Sequence, residues 1–152
     1  MTTNDGAIAR VIFDTDVGGD IDDAGALAVL HALANRGEVE ILAVGISNGH
    51  PLAAAYTRTI NAWYGRPHLP IGTVRSEDAS FSRDRYLADV ADVDPETATR
   101  EDIPDAAVLF RRILAAQPDA GVTLVTVGPA TNIARLLESQ PDDISPLSGQ
   151  EL

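Results

Sequence analysis

The stretch Val11-Ile-Phe-Asp-Thr-Asp-Val-Gly-Gly-Asp-Ile-Asp-Asp-Ala24 constrains this chain more than any other. Three apolar residues lead into five aspartates, Asp14, Asp16, Asp20, Asp22 and Asp23. The segment behind them, Ala24 to Ala34, reads as a helix. Strand, acidic turn and helix in that order predict five carboxylates around one loop, at the C-terminal end of a buried strand. Carboxylates so close repel one another, and burying them unpaired is costly. A hard divalent cation with oxygen ligands relieves both problems. Capping of the helix accounts for one or two acids in its first turn, but not for five.

The rest of the chain repeats the alternation. Ala9 to Phe13 is rich in β-branched residues, as a central parallel strand requires. The first helix, from about Asp22 to Asn35, carries Leu27, Leu30 and Ala34 with Val29 and Leu33, and stops at Gly37. Glu38 to Ile46 is a second strand, followed by Asn48 and His50. Pro51 suits the first position of the next helix, which closes at Gly65. Leu69-Pro-Ile71 reads as a short third strand.

From Gly72 to Ile103 the pattern is lost apart from a brief helical signal at Asp84 to Ala91, which predicts a flap or loop with a functional role. Pro104 starts a further helix with Val108, Leu109, Ile113 and Leu114 on its apolar side. Val122 to Val127 is a fourth strand, Gly128-Pro129 a turn, and Ala130 to Leu137 a helix. Strands and helices in alternation give a doubly wound α/β fold with a mostly parallel sheet. Ser148-Gly-Gln-Glu151 has the pattern of a capping box, so the chain reads as the N-terminal part of a larger fold.

Several function classes are excluded. A net charge of −12 argues against nucleic acid, which needs a basic face. All eleven basic residues are arginine, so there is no lysine for a Walker loop or a Schiff base. There is no cysteine, which removes thiolate metal sites and cysteine nucleophiles. With no membrane-length apolar run and no signal peptide in view, a cytoplasmic protein is expected.

In a parallel sheet, ligands bind at the carboxyl ends of the strands. The first strand delivers the aspartates there, the second Asn48, and the fourth Val127-Gly-Pro129, with Thr131 and Asn132 behind. The Val127 carbonyl is a candidate neutral metal ligand. Thr131 and Asn132 read as structural, as do His31 and His68, while His50 is a candidate to lie near a ligand.

Together, Asp14-Thr-Asp16, Asp22-Asp-Ala24, Asn48, Ile60-Asn-Ala-Trp-Tyr-Gly-Arg-Pro-His-Leu-Pro-Ile-Gly72 and Val125-Thr-Val-Gly-Pro-Ala-Thr-Asn-Ile-Ala134 resemble the inosine/uridine-preferring nucleoside hydrolases. The turn is longer than in the family's usual Asp-x-Asp-Pro-Gly-x-Asp-Asp motif and is similar to a bacterial subgroup with Asp-x-Asp-x-Gly-x-Asp-x-Asp-Asp. The resemblance implies a nucleoside hydrolase-like domain of Rossmann-like topology that hydrolyses the N-glycosidic bond of ribonucleosides and serves purine and pyrimidine salvage. It implies a calcium ion on Asp16, Asp23 and the Val127 carbonyl, with Asp16 as general base. It also implies Asp22 and Asn48 on the ribose hydroxyls and Asp14 in support. The bond breaks through an oxocarbenium-like state attacked by water. Calcium lowers the pKa of that water only modestly, so a neighbouring carboxylate has to take the proton. Phe81 and Tyr86 are candidates to stack on a base.

The family draws further site residues from a second half that lies beyond Leu152, so the chain alone is expected to be inactive or nearly so. The competing reading is a metal- and ribose-binding fragment without turnover, with a homo-oligomer covering its open face as a further candidate. A haloacid-dehalogenase-type phosphatase fits worse, because Gly18 stands where a threonine or valine is wanted and lysine is missing. An EF-hand is excluded by Gly25, which holds the position of the twelfth-residue glutamate.

Overall fold

The computed structural model describes residues 8–91 and 102–152. Four strands form one parallel sheet in the order β3-β2-β1-β4: β1 (Ala9–Thr15), β2 (Val39–Ile46), β3 (Ile71–Thr73) and β4 (Thr123–Thr126). The helices are α1 (Asp22–Asn35), α2 (Pro51–Trp63), the single turn α3 (Leu87–Val90), α4 (Ala106–Leu114) and α5 (Thr131–Glu138).

Alternation along β1 sorts the two layers. Val11 and Phe13 join Leu27, Leu30, Leu52 and Leu87 in one core, under α1 and α2. Ile12 points the other way, into a smaller core with Ala106, Phe110 and Leu136 from α4 and α5. The same alternation sends Thr15 toward α1 and Asp14 toward α5, where each finds a polar partner.

The chain moves outward through β1, β2 and β3, then returns to place β4 on the far side of β1. The loops after β1 and β4 therefore diverge at a topological switch point, where such sheets open a crevice. The two flanks of the sheet differ. β3 is wholly buried, while β4 is exposed at Thr123, Val125 and Thr126.

Several boundaries moved from their predicted places. β3 begins at Ile71 instead of Leu69, because Pro70 has no N–H; it offers its carbonyl to Val44 at 2.9 Å and the ladder with β2 starts after it. α4 starts behind Asp105, whose carboxylate accepts the Val108 N–H at 3.1 Å, so Pro104 lies outside the helix. On α4 the predicted Leu109 is buried and Ile113 and Leu114 pack partly buried against the core, while Ala106, Ala107, Phe110 and Arg111, which the prediction left out, complete the buried side. On α1, Val29 faces solvent. Ser148 and Glu151 do pair, the glutamate accepting from the Ser148 N–H at 2.8 Å.

Arg111 is the unusual member of the core, at 2% exposure. Its guanidinium donates to Asp142 Oδ1 (2.9 Å), Ser139 Oγ (3.1 Å) and the carbonyls of Ser145 and Leu147. One buried cation thus fastens residues 139–147 to α4. Among the described residues, no helix is long and apolar enough to cross a membrane.

Candidate active site

The acidic loop sits where the switch point predicts. Asp16, Gly19, Asp20, Asp22, Asp23 and Val127 line a cavity of about 220 Å³, together with Phe81 and Arg83. The structure thus brings Asp16, Asp22, Asp23 and Val127 to one cavity. Asp14 and Asn48 lie behind it, both fully buried. His50 is outside the cavity and caps α2, its Nδ1 accepting the Leu52 N–H at 3.3 Å.

Capping does not explain the aspartates. The N-cap of α1 is Ile21, and no side chain caps it. Asp23 instead accepts the Thr15 hydroxyl at 2.5 Å. Behind Asp16 the backbone is very close: a Cβ at Gly128 would lie 2.6 Å from Asp16 Oδ1 and 2.7 Å from Ser47 Oγ. Only glycine fits there.

The electrostatics are those of like charges held together. Burial, joined by the charges of Asp22 and Asp20, raises the Asp16 pKa against the pull of its own N–H and a hydrogen bond with Asp23. Burial likewise raises Asp23, with Asp16 and Asp22 adding to it and the Thr15 hydroxyl opposing. Asp14 is pushed up to about 6, chiefly by burial, although Asn132 and Thr126 pull its pKa down. Asn132 Nδ2 donates to Asp14 Oδ1 at 2.8 Å, which ties α5 to the end of β1. Asp14 Oδ2, Ser47 Oγ and Asn132 Oδ1 are buried without a hydrogen-bond partner.

The donor set suits a hard divalent cation. It is all oxygen, it carries surplus negative charge, and burial with neighbouring charges raises the pKa of Asp16 and Asp23, which a cation would relieve. Among the described residues no three Asp, Glu, His or Cys side chains are grouped closely enough to hold a metal alone. Two carboxylates and a backbone carbonyl would be a partial set, for an ion that takes 6–8 oxygens.

The flap predicted over 72–103 lies against this loop in its described part; residues 92–101 fall outside the described residues. Asn48 Nδ2 donates to the carbonyls of Val17 and Arg83, each at 2.8 Å. Its Oδ1 accepts the N–H groups of His50 (2.9 Å) and Arg83 (3.1 Å). Tyr86 accepts from the Gly18 N–H and donates to the Asp20 carbonyl, while Arg85 pairs with Asp20 at 2.9 Å. The Tyr86 ring stands edge-on to Tyr56, so of the two predicted aromatic candidates only Phe81 faces the cavity. Arg83, lying 5.5 Å over the Phe81 ring, was not foreseen. A lone arginine in a polar segment carries no sequence signal for such a place.

Fold and site together define a doubly wound α/β protein with a carboxylate-lined crevice at its switch point. The family model for inosine-uridine preferring nucleoside hydrolases matches residues 11–149. The chain belongs to that family. A solved plant nucleoside hydrolase, the PpNRh1 enzyme, shares the fold, with a TM-score of 0.54 and 24% identity over 84% of this chain. The chain spans 42% of that structure's length. No curated protein matches it.

Proposed function

We propose that the acidic cavity is the metal- and ribose-binding part of a calcium-dependent nucleoside hydrolase site. One observation carries the reading: Asp16, Asp22, Asp23 and Val127 line a single cavity at the switch point of the sheet. The family membership supports the reaction class, hydrolysis of the N-glycosidic bond of a ribonucleoside.

In this reading Asp16, Asp23 and the Val127 carbonyl hold the cation. When bound, it polarises a water and lowers its pKa. Asp16 accepts the proton of the attacking water, and its raised pKa brings it closer to the range in which a general base works. Asp22 accepts from the ribose hydroxyls and fixes the sugar, so that the anomeric carbon faces the water. Asp14 supports the site from below through its link to Asn132. Asn48, the other expected ribose contact, here bonds to backbone through both its N–H groups and both its lone-pair positions. The ligand is a small nucleoside, and a cytoplasmic location fits salvage of such compounds.

The test is calorimetric titration of calcium into the chelator-stripped chain, wild type against Asp16→Ala, followed by an inosine and uridine hydrolysis assay. Saturable binding lost in the variant is expected. Equal binding by both proteins would remove Asp16 from the site. Turnover by the 152-residue chain would show that it carries a sufficient set of catalytic groups; binding without turnover would favour the metal- and ribose-binding fragment.

A further inference from the structure

Asn48 occupies an unusual position between two segments. It belongs to neither the acidic loop nor the flap, yet its amide bonds to both: to the Val17 carbonyl on one side and to the Arg83 N–H and carbonyl on the other. The neighbouring Gly49 N–H adds a 2.7 Å bond to the Phe81 carbonyl. These bonds seize the flap at Phe81 and Arg83, the two flap residues that line the cavity. Their side chains line the same cavity as the carboxylates, an aromatic ring with a guanidinium over its face.

We propose that Asn48 is a positioning residue: by clasping the flap backbone it holds Phe81 and Arg83 as the wall that receives the nucleobase. The base-receiving part rests on the nucleoside reading above; the clasp itself does not. An aromatic face suits a planar base. A guanidinium suits the negative charge that develops on a departing base. Neither side chain has a regular element beneath it, so their place depends on the bonds that anchor their backbone. Asn48 supplies two of these bonds and the Gly49 N–H a third, and the size and amide of Asn48 are needed together. Aspartate is nearly isosteric but cannot donate, and it would set a carboxylate oxygen against the carbonyls of Val17 and Arg83.

Amide hydrogen exchange tests the clasp on the chain as it stands. In Asn48→Asp, the Arg83 and Gly49 amides should exchange about tenfold faster or more, as the loss of two buried hydrogen bonds implies, while β1 and β2 amides keep their wild-type protection. Unchanged flap exchange in the folded variant would overturn the clasp. Should that variant fail to fold, Tyr86→Phe decides instead. It removes the other side-chain tie, to Gly18 and Asp20, and should leave Arg83 and Gly49 protected. Loss of their protection would assign the clasp to Tyr86.

A binding comparison reads out what a purely structural asparagine would not move. With calcium present, inosine and the base-free 1,4-anhydroribitol are titrated into wild type and Asn48→Asp. The wild type should bind inosine more tightly than the sugar analogue. The variant should lose that difference and keep its affinity for the analogue. Equal weakening of both ligands, or of neither, would overturn the base-side role. If the wild type binds neither, the nucleoside reading falls and the base-side role with it, while the exchange data still judge the clasp.

Discussion

The sheet carries a cleft at each end, and the two differ in kind. At the N-terminal edge of the strands, Ile8, Arg10, Glu40 and Gly121 line the larger one, about 420 Å³. Its charges are settled: Arg10 pairs with Glu40 at 3.1 Å and donates to Gln117. At the C-terminal edge the cleft is about half that size, and its acids repel one another. Volume is therefore a poor guide here. The end proposed to do chemistry is the one whose charge remains unbalanced within the protein, a surplus that a cation would relieve.

The comparison breaks most sharply on metal binding. Asp16→Ala should weaken calcium by on the order of 100-fold or more, read by calorimetry, whereas Glu40→Ala at the other cleft should leave the affinity alone. Because Asp16 and Asp23 have raised pKa values and must be ionised to hold a cation, wild-type affinity should rise with pH through the acidic range, with protons released on binding.

Next in size is stability without metal. The folded pKa of Asp14 lies above its unfolded value, so the native state holds a proton that the unfolded chain has released. In chelator, the free energy of unfolding should fall as pH rises from about 4 through about 6, by up to about 3 kcal/mol. Asp14→Asn should flatten that slope in denaturant titrations. If the slope is unchanged in the variant, Asp14 is not its source.

Gly128→Ala, with its Cβ forced against Asp16 and Ser47, should cost about 1–3 kcal/mol. A thermal melt equal to wild type would mean that the loop after β4 yields easily. Smallest of all, Glu40→Ala should cost less than about 1 kcal/mol, since its ion pair with Arg10 is exposed. A larger loss would mean that the N-terminal cleft does more for the fold than its exposed pair suggests.

What could be read in advance follows a physical division. β1, α1 and α2 were legible because apolar periodicity, Gly37 and Gly65 marked their faces and ends; both glycines have positive φ. The gathering of Asp16, Asp20, Asp22 and Asp23 at one cavity was legible because acids packed between a strand and a helix have few other places to go. The flap was not. It is held by Asn48, by Asp84 accepting the Leu87 N–H, and by the Tyr86 hydroxyl, and polar bonds of this kind leave no hydrophobic period in the sequence. The bonds of Asn48 went unread for the same reason: its place at a strand end suggested a ligand, and nothing in the pattern pointed to the backbone groups it also holds. Arg111 gave no signal either, because an arginine on a helix ordinarily faces water.

That arginine binds two stretches of the chain into a common fate. Trimmed back before Ser139, the protein would keep a guanidinium in its interior with every partner gone, a loss of several kcal/mol. Losing Arg111 while the tail remained would leave two carbonyls and a serine without their donor. Neither piece can be discarded in a single step, so α4 and the segment from 139 to 147 should be inherited, exchanged or grafted only as a pair.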